Sequence, residues 1–514
     1  MRKLFTEFCS KSTIHGIRYI TEPKRHWSER LWWICAFILS LLLCGASIRN
    51  IWMKWRYHPV TVSFIENELP ISAIPFPQIT VCQQTKFYKE KLDLTSAYSM
   101  YVSAPENLSH IELMRLQALF HVCPNDFFEP YTEEKWTNSS IYDTIEELSP
   151  TFEETLLTCE WRSTTYPCKD LFASVFTEDG LCFTFNALNS HEMYTENMAP
   201  EMMTITNNEN VTRWSLDSGY KKGLRKKQYP RRMFNAKQGA ALMVGLRLST
   251  DDISYFCSGL IQGFKVTLTM PGDTRKSSSR YFQVLTSEQS EILIKPKMIR
   301  TSNKLHRYYP SQRQCFFNSE RQLHFFKMYT QNNCEAEWEE HTKICGEANI
   351  NCYKNAEKEL FGEDVMDDLK NDSINMFRAR CNCLPACTAI KYEADIDRTK
   401  FDWLHVLQSL NLQSPNLNDT QLSILSVFFA DHQVITLQRS ESYTFTDILA
   451  ICGGLLGLFL GVSLLSIVEM IYFVTLRLFW TVWRARNDNV VVPFKRETII
   501  TRVTIKSIDS HKKE

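Results

Sequence analysis

Ile448-Leu-Ala-Ile-Cys-Gly-Gly-Leu-Leu-Gly-Leu-Phe-Leu-Gly-Val-Ser-Leu-Leu-Ser-Ile-Val468 is a run of 21 residues without a charge. A bilayer-spanning helix needs roughly 20 apolar residues, so the run is long enough to cross. Its composition is unusual for a simple anchor. It holds Gly453, Gly454, Gly457 and Gly461, then Ser463 and Ser466, and Glu469 follows directly. Small residues let helices approach closely in lipid. Small residues with hydroxyls, closed by a carboxylate, suit helices packed around a narrow polar path, and a membrane-edge carboxylate is a functional candidate. The plainer reading of the same spacing is a packing face on an ordinary anchor, Gly453-x-x-x-Gly457-x-x-x-Gly461.

A second apolar segment, Leu31 to Ile48, runs 18 residues without a charge, between Arg30 and Arg49. Cys44-Gly45-Ala46 would suit a signal-peptide cleavage site. Against this, 30 residues precede the segment, and Trp32-Trp33 sits where an interfacial aromatic belt would. Two spans put both termini on one side. Residues 1–30 carry seven Lys/Arg against three Asp/Glu, and residues 477–514 carry nine against four. That bias places both tails in the cytoplasm. Residues 49–447 hold 42 basic and 50 acidic residues, so the net charge of zero hides an acidic loop between basic tails.

The loop is large enough to bury its own core. It contains 13 of the 17 cysteines and all five Asn-x-Ser/Thr sequons, at Asn107, Asn138, Asn210, Asn371 and Asn418. Sequons confined to one compartment indicate a glycosylated extracellular domain. In that compartment cysteines read as disulfides first. Zinc at Cys381-x-Cys383-x3-Cys387 is the weaker alternative, because the spacing fits no standard finger. An odd count of 13 leaves at least one thiol free or paired between chains. The sequence has no P-loop, GxSxG, HExxH or dinucleotide fingerprint, so an enzyme is not expected, nor a metal or cofactor. The basic run Lys221–Arg232 lies in the extracellular loop and reads as solvated surface rather than as a nucleic-acid site. Residues 263–269 alternate like a strand, and Glu320–Tyr329 and Ala356–Leu369 read as helices. The loop is therefore expected to be mixed α and β.

Further motifs join these. Ser12-Thr-Ile-His-Gly-Ile17 precedes the first span and Phe76-Pro-Gln-Ile-Thr-Val-Cys82 follows it. Gly180-Leu-Cys-Phe-Thr-Phe-Asn186, Gln262-Gly-Phe-Lys-Val266 and Cys381-Asn-Cys-Leu-Pro-Ala-Cys387 with Tyr392 come next, before the glycine-rich span. In this order they resemble the epithelial sodium channel/degenerin/acid-sensing ion channel family, most closely its insect pickpocket subfamily. The resemblance implies two transmembrane helices flanking a hand-like, disulfide-rich α+β extracellular domain of palm, finger and thumb. Three such subunits would surround a pore that passes Na+, as a homotrimer or, the favoured form, a heterotrimer with homologous subunits in the plasma membrane. The boundaries it suggests are a cytoplasmic tail over 1–30, a first span over 31–52, the extracellular domain over 53–444, a second span with the pore over 445–476, and a second cytoplasmic tail over 477–514.

The resemblance also implies roles. Gly461-Val462-Ser463 matches the selectivity element, where the second helix breaks and backbone carbonyls replace part of the ion's hydration shell. Glu469 matches the acid at the inner mouth, and Gly457 the position of amiloride block. Ala450 falls at the "degenerin" position, where a bulky residue jams the pore open. His15-Gly16 matches the gating motif, carried on a re-entrant loop beneath the pore. The implied bridges are Cys82–Cys182, Cys159–Cys168, Cys315–Cys387 and Cys334–Cys383, with Cys123–Cys257 as an addition typical of the subfamily. The thumb departs from the pattern: Trp338 stands where a cysteine is expected. Cys345 with Cys352 is then the remaining pairing, with Cys381 unpaired. Gln312 replaces the tryptophan that acid-sensing relatives set against a tyrosine above the first span, here Tyr57, so proton gating is not expected. The implied function is a voltage-independent, amiloride-sensitive Na+ channel subunit, opened by an extracellular ligand or a mechanical stimulus and sensory in context. The alternative from the truncated thumb is a non-conducting auxiliary subunit or surface receptor. ATP-gated channels also have two spans and a bridged ectodomain, but lack the Gly-x-Ser belt and the Cys-x-Cys-Leu-Pro-x-Cys motif.

Overall fold

A computed structural model describes residues 2–22, 25–65, 68–123, 140–198, 214–220, 229–236, 242–260, 262–274, 280–337, 383–409 and 420–488. The chain forms two compact units, one of residues 1–59 with 442–514, the other of residues 60–441.

The larger unit is built on a nine-stranded sheet. Its longest strand, Glu288–Thr301, is paired along its length, antiparallel to Ala389–Lys400 and parallel to Thr420–Phe429 and Gln433–Glu441. The alternation that makes such strands is plain in Leu242–Ser249. There Leu242, Val244, Leu246 and Leu248 are buried while the intervening residues face outward, the period of two expected of a half-buried strand. A second, five-stranded sheet includes Gln78–Gln83, Gly180–Phe185 and Phe264–Thr269. The expected strand at 263–269 therefore sits inside this sheet. Phe76 joins the two sheets in the core, its ring 5.0 Å from Trp161 and 5.3 Å from Phe429 of the larger sheet and 6.1 Å from Phe185 of the smaller.

A separate helical cluster buries Phe87, Leu94, Leu116, Leu119 and Leu148. The helix His110–Val122 in it begins with a capping box in which Ser109 and Glu112 satisfy each other's backbone N–H groups. Five disulfides tie the described residues: Cys82–Cys182, Cys123–Cys257, Cys159–Cys168, Cys315–Cys387 and Cys334–Cys383. Cys345, Cys352 and Cys381 lie outside the described residues, as do Trp338, Asn138, Asn210, Asn371, Asn418, Lys221–Gln228 of the basic run and the expected helix Ala356–Leu369.

The expected helix over Glu320–Tyr329 does not form. Its backbone donors find side-chain acceptors instead of carbonyls four residues back. The Phe325 N–H donates to Glu337 (2.9 Å), as does that of His324, and the Tyr329 N–H to Asn318 (2.7 Å). Phe326 pairs with Tyr194 as an isolated bridge. Two side-chain acceptors and a bridge thus override a helical pattern that is only ten residues long, too short to hold as a helix by itself.

His121, in the last turn of its helix, has an Nε2 with no hydrogen-bond partner among the described residues. Burial lowers its pKa from the ordinary 6.5 to about 4. Between these values the unfolded chain binds the proton and the folded chain does not. Stability is therefore complete above pH 6.5 and falls as pH drops toward 4, by up to about 3 kcal/mol. We expect His121→Leu to flatten this loss: the difference in Tm of the purified protein between pH 7 and pH 4.5 should be smaller in the variant. An equal difference in both proteins would show that His121 does not titrate on unfolding.

Candidate pore site

The smaller unit holds two apolar helical stretches. The first helix is Trp27–Tyr57, 31 residues, extending beyond the uncharged core read from the sequence at both ends. His26 caps its start, accepting from the Ser28 N–H. The second stretch is not one helix. Phe445–Leu460 starts at a capping box between Thr444 and Asp447 and stops at Gly461. A new helix, Leu464–Tyr472, begins after Ser463 and passes through a π-helical turn, Phe473–Arg477, into Leu478–Asp488. The helical path thus continues past residue 476. Trp27–Tyr57 and Leu464–Arg484 each have the length and apolarity to cross a membrane.

The local sequence explains the break. Gly461 adopts φ 66° and ψ 21°, the left-handed region that L side chains rarely enter. In that conformation its N–H donates to the Gly457 carbonyl (2.9 Å) and the Val462 N–H to the Leu456 carbonyl (3.2 Å), closing the first helix. Ser463 is extended and starts the next helix. Its hydroxyl accepts from the Ser466 N–H (3.3 Å), and its own N–H donates to the Ser466 hydroxyl (3.1 Å). A glycine stop followed two residues later by a serine start is what halts and restarts the helix.

Residues 12–16 close on this break. The His15 N–H donates to the Leu460 carbonyl (3.0 Å), one of the last acceptors of the first half-helix. The His15 ring lies against Gly461 so closely that a Cβ on Gly461 would fall inside it. Gly16, at φ 85°, turns the chain back; a Cβ there would stand 3.7 Å from Trp33 and 3.9 Å from Phe37. Tyr19 then stacks on Trp33 with ring centres 4.6 Å apart, holding the returning segment on the first span.

The Thr13 and Ser466 hydroxyls are 2.6 Å apart. Thr13 also donates to the Glu469 carboxylate at 3.5 Å. Each hydroxyl has one proton. With Thr13 donating to Glu469, Ser466 donates to Thr13 and accepts from the Ser463 N–H. The backbone of the break is thereby linked through two hydroxyls to the acid below it. Ser466 is almost fully buried, whereas Ser463 is exposed. Ala450, Gly454 and Gly457 fall at helical spacing on one face, and beyond the helix's own backbone nothing among the described residues lies within 4 Å of a Cβ placed on Gly453 or Gly454.

The structure therefore brings His15, Gly461, Ser463 and Glu469 into one connected site, with Gly457 accepting from the Gly461 N–H. Ala450 lies apart, on the exposed face of the first half-helix. Thr13 had no assigned role, although it sits inside the quoted motif before the first span. Ser466 was visible only as one hydroxyl among the small residues. Among the described residues no cluster of His, Cys, Asp or Glu could hold a metal ion.

The sequence profile described as Amiloride-sensitive sodium channel matches residues 8–473. Pickpocket protein 28 of Drosophila melanogaster is 25% identical over 501 residues, covering 91% of this chain and 78% of the relative. Sodium channel protein Nach of the same organism is 20% identical, covering 92% of this chain and 87% of the relative. Human acid-sensing ion channel 2 is 22% identical, covering 91% and 85%.

Proposed function

Because this chain belongs to the amiloride-sensitive sodium channel family, we propose that it is a pore-forming subunit of a Na+-selective, amiloride-sensitive, voltage-independent channel opened by an extracellular ligand or a mechanical stimulus, in a sensory context. The observation that carries this reading is the break of the second apolar stretch at Gly461-Val462-Ser463. Backbone inside a bilayer is tolerated out of helix only where it is buried in protein or lines a water-filled path. Here it frees carbonyls at the middle of the apolar stretch, the groups that replace water around a cation.

This reading assigns the remaining roles. Residues 461–463 form the narrow part. Glu469 collects cations at the inner mouth, held by Thr13. His15 and Gly16 brace the break from below, and Gly457 contributes to the amiloride site. The open small-residue face of Ala450, Gly454 and Gly457 suits close approach of further subunits, in a homotrimer or a heterotrimer with homologous chains in the plasma membrane. Contact between Glu7 and Arg477 (2.9 Å) supports both tails lying on one side, the cytoplasmic one. The domain limits remain tails over 1–30 and 477–514, spans over 31–52 and 445–476, and an extracellular domain over 53–444. Within that domain the sequons would carry glycans; Asn107, the described one, is exposed.

The test is whole-cell current from Ala450→Val. A larger residue on the open face should hold the pore open, giving a constitutive Na+ current at least tenfold above the unmodified chain and blocked by amiloride. Surface expression without current, from this chain alone and with homologous subunits, would contradict the reading and favour the auxiliary role.

A further inference from the structure

The N-terminal segment does more than meet the break. His15 contacts Leu460 and Gly461, Thr13 contacts Ser466 and Glu469, Phe8 contacts Phe473, and Glu7 contacts Arg477. As one number falls the other rises, so the two segments run antiparallel in continuous register. The outer end is the best defined. The rings of Phe8 and Phe473 meet edge to face with centres 5.3 Å apart. Both carboxylate oxygens of Glu7 accept from Arg477, at 2.9 and 3.1 Å. Lys11, one turn on, adds a second cation at 3.0 Å. These two cations hold the Glu7 carboxyl below the usual carboxylate range, so it stays charged at cytoplasmic pH. Cys9, between the two contacts and their turn, is buried. Phe473 and Arg477 are the two ends of the π-helical turn, a local irregularity that often marks a functional position.

Resting on the reading of residues 461–463 as the narrow part of the pore, we propose that residues 7–15 and 460–477 form an antiparallel zipper whose outer clasp is the Glu7–Arg477 pair, and that this clasp controls the pore from its cytoplasmic end. The clasp lies 16 residues from Gly461, about 24 Å along a helix. The side chains of Glu7 and Arg477 remain 29% and 39% exposed, within reach of salt and of charge-changing partners. Opening the clasp frees the helix Arg2–Lys11 first, and loosens Thr13 and His15 only through it. Neither residue touches the permeating ion, so both act by positioning.

Two measurements test this. In an Ala450→Val background, Glu7→Arg and Arg477→Glu should each change Na+ current per surface channel about two- to fivefold in the same direction, as expected for an exposed ion pair. The exchanged pair, Glu7→Arg with Arg477→Glu, should return it to within about 1.5-fold of the parent. An exchange no closer to the parent than the single reversals would overturn the clasp. The second measurement does not depend on conduction. With Cys9→Ser, Phe8→Cys and Phe473→Cys are oxidised in membranes after a protease site is placed in residues 275–279. The five disulfides each lie wholly on one side of that site. The two fragments should therefore stay joined only through the new bridge, and less so with Glu7→Arg. Fragments that separate would overturn the zipper whether or not the chain conducts. Joined fragments without any current would uphold the zipper and remove the pore reading.

Discussion

Gly461→Ala is expected to lower Na+ current per surface channel at least tenfold. Two independent costs fall on this one methyl group. The left-handed backbone at φ 66° disfavours any residue with a Cβ by about 1–2 kcal/mol. The added atom would also fall inside the His15 ring, so His15 must leave or the break must change shape. Removing His15 from its place takes the donor away from the Leu460 carbonyl. Changing the break lets Phe445–Leu460 run on into the next helix and withdraws the freed carbonyls. Either way the proposed narrow part is lost, and the effect exceeds the propensity cost alone. His15→Ala combined with Gly461→Ala relieves the overlap but not the backbone conformation, so it should restore current only partly. Currents of Gly461→Ala within twofold of the parent, in the Ala450→Val background, would contradict the geometry.

The second large effect lies in the extracellular unit. Arg313 is 2% exposed. Its Nε donates to the Cys315 carbonyl (3.1 Å), and its other nitrogens to the carbonyls of Tyr308 (2.5 Å) and Leu305 (3.5 Å) and to the Glu320 carboxylate. Its guanidinium also lies over the Phe317 ring at 4.7 Å. A single side chain therefore satisfies three backbone acceptors and a carboxylate beside the Cys315–Cys387 bridge. Arg313→Met keeps the volume but takes the guanidinium donor from the Cys315 and Tyr308 carbonyls, leaves the Leu305 carbonyl with only the Tyr308 N–H, and leaves Glu320 without its counter-charge. Breaking a buried pair from one side typically costs about 3–5 kcal/mol. We expect a fall in Tm of the purified protein and loss of most surface expression. Glu320→Gln, which keeps an acceptor for Arg313 and removes only the charge, should cost less. A change within about 1 kcal/mol for Arg313→Met would show that water replaces the guanidinium there.

The sequence was most legible where one residue decides a local conformation. The uncharged run beginning at Ile448 reads as membrane-spanning, and its glycines and serines point to something other than an anchor; the family and its two-span, disulfide-rich architecture follow from motifs met in order. Alternation exposed the strand ending at Thr269, since a half-buried strand writes its period directly into the chain. Glu320–Tyr329 reads as a helix in the sequence, but the acceptors that unmake it, on Glu337, Asn318 and the Met193 carbonyl, lie outside the segment. Arg313 carried no signal at all, since nothing local distinguishes a buried arginine from a solvated one. The same holds for Thr13 with Ser466 and for Glu7 with Arg477. Each pair spans more than 450 residues, and each partner alone is an ordinary polar residue near a helix end.

The most direct measurement is Na+ current from Ser463→Lys set against its Ala450→Val parent at equal surface expression. Ser463 is exposed at the break, where a fixed positive charge would meet the permeating cation. Abolished Na+ current, with the protein still at the surface, is the result predicted for a narrow part at residues 461–463. An unchanged current would mean that ions pass elsewhere and that the break is only a feature of helix packing.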